Sequence, residues 1–220
     1  MSEHQAFKQG NISIDAQNIM PVIKRWLYSD KDIFIRELVS NGVDAISKYR
    51  MMGKGGDEDL RVTVTVDKEA GIISFTDNGI GMTAEEVDRY INQVAFSSAE
   101  EFLKNYTAGD QSGIIGHFGL GFYSSFMAAS KVTIDTLSWQ ENAAPVLWES
   151  EDGMAFSMSE GERQTRGTTI TLTISEEEKE FLDGFRTREV LNRYCGYMSV
   201  PIYFVDIEAD KRAEEAAKKD

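Results

Sequence analysis

Cysteine is almost missing from this sequence: Cys195 is the only one in 220 residues. A single thiol cannot build an internal disulfide framework, and the composition fits a reducing compartment such as the cytoplasm. Cys195 itself reads as a small buried apolar residue. Histidine is nearly as scarce. His4 and His117 are isolated, so no His/Cys cluster has zinc-ligand spacing. No serine is flanked by glycines in the manner of a nucleophile elbow. Long apolar runs are lacking too, and none approaches the roughly 18 residues of a spanning helix. The opening MSEHQAFKQG has no apolar core, so no signal peptide is expected. Basic residues are outnumbered, 23 Lys and Arg against 37 Asp and Glu, for a net charge of -14. That balance argues against covering a nucleic-acid backbone or an anionic membrane. An anionic ligand would need helix dipoles, backbone N–H groups or a metal ion.

What is present is a core. Hydrophobic residues make up 41% of the chain, enough for one sizeable α/β domain or two small ones. Helices are predicted over 16–29, 34–50, 83–96 and about 97–106, with a further helix from 123 and one or two over 176–198. Strands are predicted over 60–67 and 72–77 as a hairpin. Others follow at 131–138, 145–150, 154–160 and 168–175, and a last one near 200–207. Thr83 and Glu86 have the spacing of a capping box. Hairpins mixed with helices, without βαβ alternation, predict an α+β two-layer sandwich. Its sheet should be mixed and largely antiparallel, covered on one face by helices. The tail, 206–220, is charged, Ala-rich and without an apolar face, as at the start of a linker.

Four segments carry chemistry. In FIRELVSNGVDAISKYR, Glu37, Asn41, Asp44 and Lys48 share one helix face within about 60°. Such rows are usually wet faces, yet Asn41 and Gly42 are poor helix residues set at the centre of this one. TDNGIGMT ends a strand at Asp77 and turns on Gly79 and Gly81. It matches a loose dinucleotide fingerprint, but Asp77 would repel phosphate there. A carboxylate at a strand end suits an N–H donor such as the adenine amine; the plain alternative is an Asp–Gly turn. SGIIGHFGLGFYSS has glycines at 113, 116, 119 and 121 before a helix, a credible cradle for phosphate. No Gly-Lys-Ser/Thr follows, so it is not a Walker A loop. RGTTITLTIS enters a strand through Gly167 and Thr168, and Thr168 could bond a ligand or only the sheet edge.

The four segments, in this order, resemble the ATPase superfamily of type II topoisomerases, heat-shock chaperones, histidine kinases and mismatch-repair proteins. FIRELVSNGVDA, DNGIGMT, IIGHFGLGFYSSFM and RGTTITL are most similar to the nucleotide-binding domain of the 90-kDa heat-shock chaperone family, bacterial type. FGLGFYS is the discriminating string. The resemblance covers residues 10 to about 205 and implies a Bergerat-type ATP-binding fold. It makes 1–205 an N-terminal ATPase domain and 206–220 the start of a charged linker to a middle domain. It implies that Glu37 is the general base, that Asn41 binds Mg²⁺ held by the phosphates, and that Asp77 accepts from adenine with Thr168 in support. Met82 and Phe122 would wall the nucleoside beside Gly81. Gly116, Phe118, Gly119 and Gly121 would cradle phosphate under a lid spanning roughly 95–121, and Asp44 and Lys48 would extend the polar floor.

The implied ligands are ATP or ADP with Mg²⁺. The implied partners are client proteins, co-chaperones and a second copy in the full-length protein; the domain alone would be monomeric. Nucleic acid and membranes are not implied. The family's charge against the γ-phosphate comes from the next domain, so turnover by this one would be slow. The sequence departs from the family where YINQVAFSSAEEF puts Tyr90 and Phe96 at positions that otherwise hold an Asn and a basic residue. Two other readings stay open. One is a nucleotide-gated interaction module that needs no base. The other is the ATPase part of a topoisomerase-like DNA enzyme, against which the acidic balance weighs.

Overall fold

The computed structural model describes residues 31–56, 58–92 and 121–218. The helices predicted at 16–29 and 97–106, and the glycine-rich loop up to residue 120, lie outside these. The first described helix, α1, spans Ile33–Met51. Phe34, Ile35, Leu38, Val39, Val43 and Ile46 recur at helical spacing and are all buried. Asp32 precedes the helix without a side-chain capping bond. Its carboxylate instead pairs with Arg186 at 2.5 Å and Arg193 at 3.4 Å.

Strands β1 (Val62–Asp67) and β2 (Ile72–Asp77) form the predicted antiparallel hairpin. Helix α2 spans Ala84–Tyr90; of the 83–96 expected, residues 91–92 are not helical and 93–96 lie outside the described residues. Its capping box is present: Glu86 N donates to Thr83 Oγ1 at 3.3 Å and Thr83 N to Glu86 Oε2 at 2.8 Å. The expected helix beyond the glycine-rich loop is a 3-10 helix, Gly121–Met127. There the Ser124 and Ser125 hydroxyls donate to the carbonyls three residues back, Gly121 O at 2.5 Å and Phe122 O at 2.6 Å. Serine back-bonding of this kind competes with the α-helical ladder.

Strands β3 (Ala129–Leu137), β4 (Val146–Ser150), β5 (Ser157–Glu160) and β6 (Gly167–Ile174) follow. The stretch after them divides at Asp183 into a 3-10 helix, Glu176–Leu182, and α3, Gly184–Cys195. Asp183 caps α3 by accepting from Phe185 N at 2.8 Å and Arg186 N at 3.4 Å. After β7 (Ile202–Asp206) the chain enters α4, Ile207–Ala217. The tail read as the start of a linker is thus helical over these residues. Asp206 caps it, accepting from Ala209 N at 3.1 Å, and no residue of α4 is buried.

The seven strands form one open sheet in the order β5-β4-β3-β6-β2-β1-β7. Among the described residues only the β1–β7 pairing is parallel. The architecture is the expected α+β one, a mixed and mostly antiparallel sheet with helices packed on it. One sheet face is apolar: Val62, Val64, Ile73, Phe75, Ile170, Leu172, Val132 and Ile134 all point into the core. Cys195 is part of that core, and burial pushes its thiol up to about 11. Among the described residues no helix is long and apolar enough to cross a membrane.

Candidate functional site

The polar row on α1 is not a wet face. Asp44 and Lys48 are 5% and 9% exposed, and Glu37 and Asn41 are half-buried. Gly42 explains its own place in the helix centre. A Cβ there would stand 2.9 Å from Val62 Cγ2 and 3.3 Å from Asp77 Cβ. Glycine therefore lets α1, the helix that carries the polar row, lie against the ends of β1 and β2 at Val62 and Asp77.

Strand parity places Asp77. Along β2, Ile73 and Phe75 point into the core, and two residues further Asp77 does the same. Its pairing partner on β6 is Thr168, and the partner of Thr168 on β3 is Thr136. The next row inward is Phe75, Ile170 and Ile134. The apolar sheet face thus ends in a polar row across three strands. Thr136 Oγ1 lies 2.9 Å from Thr168 Oγ1, donates toward Gly167 O at 3.2 Å, and accepts from Met82 N at 3.0 Å.

The turn after Asp77 is tied to its neighbours. Asp77 Oδ1 accepts from Gly79 N at 2.8 Å. Ile80 N donates to Ala45 O of α1 at 3.1 Å, and Trp139 N donates to Ile80 O at 2.8 Å. Gly81 has φ +63°, and a Cβ there would run into Leu137 O, so only glycine suits this position. Met82 follows, half-buried against the core.

At the other end of the polar row, Glu37 meets the 3-10 helix. A Cβ on Gly121 would collide with Glu37 Oε2 and stand 3.3 Å from Glu37 Cβ. Phe122 is buried with edge contacts to Tyr123, Phe126 and Trp148, at 5.5, 6.1 and 5.6 Å between ring centroids. Its ring belongs to that aromatic cluster. Gly116, Phe118, Gly119 and Phe96 lie outside the described residues, while Tyr90 is half-buried at the end of α2.

The charges in this region are perturbed. Burial pushes the Glu37 carboxyl above its usual range; Arg36 opposes the rise and Asp44 adds to it. Burial lowers the Lys48 ammonium, against the opposing charges of Asp44 and Glu86. Burial lifts Asp77 to about 6, although the Gly79 N–H, Arg163, the Thr168 backbone and Arg166 all pull it down. Two carboxylates and a lysine perturbed by burial make this region a candidate site rather than a solvated surface.

A family model described as "Histidine kinase-, DNA gyrase B-, and HSP90-like ATPase" matches residues 29–180. The chain belongs to this ATPase family. It is 48% identical over 202 residues to the chaperone protein HtpG of Porphyromonas gingivalis, covering 90% of this chain and 29% of the relative. The figures for the HtpG of Bacteroides fragilis are the same, 48%, 90% and 29%. For that of Pseudoalteromonas translucida they are 41%, 93% and 33%. The chain therefore spans about a third or less of the length of these HtpG proteins. They bear out the resemblance to the N-terminal ATPase domain of the 90-kDa heat-shock chaperones.

Within this HSP90-like ATPase, three residues to which the sequence reading gave no role belong beside the site. Thr136 sits in an ordinary strand pattern, KVTIDTLS, and its only signal was a hydroxyl at the same parity as Val132 and Ile134. Arg163 sits in a loop without a motif, and Arg166 opens RGTTITLTIS, where only Gly167 and Thr168 drew attention. No group of three or more His, Cys, Asp or Glu that could hold a metal occurs among the described residues. A lone amide oxygen such as that of Asn41 fits Mg²⁺ all the same, because this ion takes most of its ligands from phosphates and water.

Proposed function

We propose that this chain is the ATP-binding and ATP-hydrolysing domain of an HtpG-like chaperone. The observation that carries the reading is the polar row Asp77–Thr168–Thr136 closing an apolar sheet face, with α1 packed against Asp77 at Gly42. Adenine would meet Asp77, whose carboxylate accepts from the exocyclic amine, with Thr168 in support. Gly81 and Met82 would line the nucleoside, as would Phe122 through the edge of its aromatic cluster. The phosphates would extend along Asp44 and Lys48 toward Gly121 and the glycine-rich residues Gly116, Phe118 and Gly119. Asn41 would hold Mg²⁺, which neutralises phosphate charge when bound.

Hydrolysis needs a proton acceptor beside the attacking water. Glu37 supports that role by its place and its raised pKa, which brings a carboxylate nearer to the basicity useful at neutral pH. The products are ADP and phosphate, and the proton released from water passes first to the Glu37 carboxylate. Turnover by this domain alone is slow, because phosphoryl transfer depends on positioned positive charge that the next domain would add. ATP binding would close a lid over 95–121 and drive a chaperone cycle in the cytoplasm. Client proteins, co-chaperones and a second copy of the full-length protein would be the partners; nucleic acid and membranes are not.

The test is calorimetric titration of the wild type and Asp77→Asn with ATP, ADP and GTP, with and without Mg²⁺. Asp77→Asn should lose roughly a hundredfold in ATP affinity, the loss of a charge-assisted bond with a mismatched donor left in its place. GTP should bind the wild type poorly, because guanine turns a carbonyl toward the carboxylate. A folded Asp77→Asn that binds ATP like the wild type would move the adenine pocket elsewhere.

A further inference from the structure

The loop ahead of β6 carries two arginines that the nucleotide motifs leave unused. Arg163 Nη2 donates to Asp77 O at 2.9 Å and its Nη1 to Thr169 Oγ1 at 2.6 Å. Its Nε donates to Thr165 O at 2.9 Å, which braces the loop on itself. Arg166 Nη1 donates to Asn78 O and, at 3.2 Å, to Gly79 O. The Arg166 guanidinium lies 3.8 Å above the centre of the Tyr49 ring, and its other nitrogen pairs with Glu58. Three successive carbonyls of the glycine turn, Asp77, Asn78 and Gly79, therefore accept from two guanidinium groups. A guanidinium offers its donors in a fixed planar fork, so it fixes direction as well as distance. Tyr49 follows Lys48 on α1, so Arg166 also joins the turn to the helix that carries the polar row.

We infer that Arg163 and Arg166 are positioning residues for adenine recognition: they hold the Asp77–Gly79 turn by its carbonyls and bring positive charge to the side of the Asp77 carboxylate. The inference rests on the adenine reading of Asp77 given above. Neither guanidinium needs to touch the base. Both act through the backbone and through their charge. Asp77 is buried and sits at about 6, with Arg163 and Arg166 the charged groups that draw it down. The other ionisable groups nearby are occupied with one another. Asp44 and Glu86 act on Lys48, Asp135 acts on Arg163, and Glu58 pairs with Arg166. With Arg163 or Arg166 made neutral, Asp77 would keep its proton to higher pH. A protonated carboxyl meets the adenine amine with a weaker acceptor.

The experiment measures ATP affinity by calorimetry from pH 5.5 to 8.5 for the wild type, R163Q, R163K, R166Q and R166K, with thermal melting of each. Wild-type affinity should fall as pH drops through about 6. In R163Q the midpoint should rise by up to about one pH unit, the lower end for removal of an opposite charge, and in R166Q by less, because Arg166 acts on Asp77 more weakly and already pairs with Glu58. At pH 6 R163Q should bind about fivefold more weakly than the wild type through the lost charge, and R166Q less so; by pH 8.5 that part should close, leaving only the smaller loss from the released carbonyls. R163K and R166K keep the charge and should keep the wild-type midpoint. If R163Q does not fold, R166Q carries the same comparison from the other side of the turn, and the lysine pair is read beside it. Glutamine variants that follow the wild-type profile, or that lose affinity equally at every pH, overturn the inference while the nucleotide reading stands. A wild type that binds no ATP overturns both.

Discussion

Asp77 and Thr168 stand opposite each other on β2 and β6, the last pair in the register of the two strands, and both side chains are buried. A carboxylate in that position is held at a cost. Burial lifts its pKa in the folded chain to about 6, above the ordinary 3.8 of an aspartate. The folded state thus binds the proton more tightly than the unfolded one. Between these two values stability falls as pH rises, and above about 6 the full penalty remains. That penalty is on the order of 2–3 kcal/mol.

Asp77→Asn should therefore melt higher than the wild type at pH 7 without ligand, while binding ATP more weakly. Asparagine keeps an acceptor oxygen for Gly79 N and carries no charge. The gap in melting temperature should narrow as pH falls toward 4. Scanning calorimetry of both proteins at pH 4, 5.5 and 7 reads it directly. A variant less stable than the wild type at pH 7 would mean that the charge stabilises the turn.

Glu37→Ala should leave ATP affinity nearly unchanged and reduce hydrolysis in the full-length protein by roughly 10²–10⁴-fold, the usual worth of a general base. Phosphate release and calorimetry on the same preparation separate the two effects. Undiminished turnover would take Glu37 out of the chemistry and favour a gated binding module.

Gly121→Ala tests the contact between the 3-10 helix and the base. The new methyl group would collide with Glu37 Oε2, so either the carboxylate or the helix must move. Turnover should fall at least tenfold, because small displacements of a catalytic group are costly. Combined with Glu37→Ala, the glycine change should add little further loss, since both act through one carboxylate. Fully additive losses would show that Gly121 serves the phosphates instead.

Thr136→Val keeps the shape of the side chain and removes its oxygen. Met82 N loses its acceptor and Thr168 its hydroxyl neighbour. A buried N–H left unpaired costs about 1–3 kcal/mol. The melting temperature and ATP affinity should both fall, and Thr136→Ser should restore them. If valine is tolerated on both counts, the hydroxyl row is not a unit.

Local patterns made α1, the hairpin, the capping box at Thr83 and the strand-end position of Asp77 legible in the sequence. Each depends on neighbours within a few residues. Gly42 was visible as an oddity but not as a reason. The reason is Val62 and Asp77, which only the packed sheet brings near. Thr136, Arg163 and Arg166 were not singled out, because their partners lie far along the chain at Met82, Asp77 and Gly79. The 3-10 form of Gly121–Met127 was missed because hydrophobic spacing cannot distinguish it from an α-helix, whereas two serine hydroxyls can. Helix formation by 207–217 was missed because the segment has no apolar face to read, and its start is set by the side chain of Asp206.

Residues of β2, β6 and β3 serve the core and the polar row through one alternation. A single residue inserted or deleted within the β2 strand would turn Asp77 outward, while Ile73 and Phe75 could still find their places. Such a chain could fold and be blind to its ligand. Substitutions along these strands can be absorbed one at a time, but their count of residues cannot drift. Lineages descended from this domain should therefore vary β2 in composition far more freely than in length.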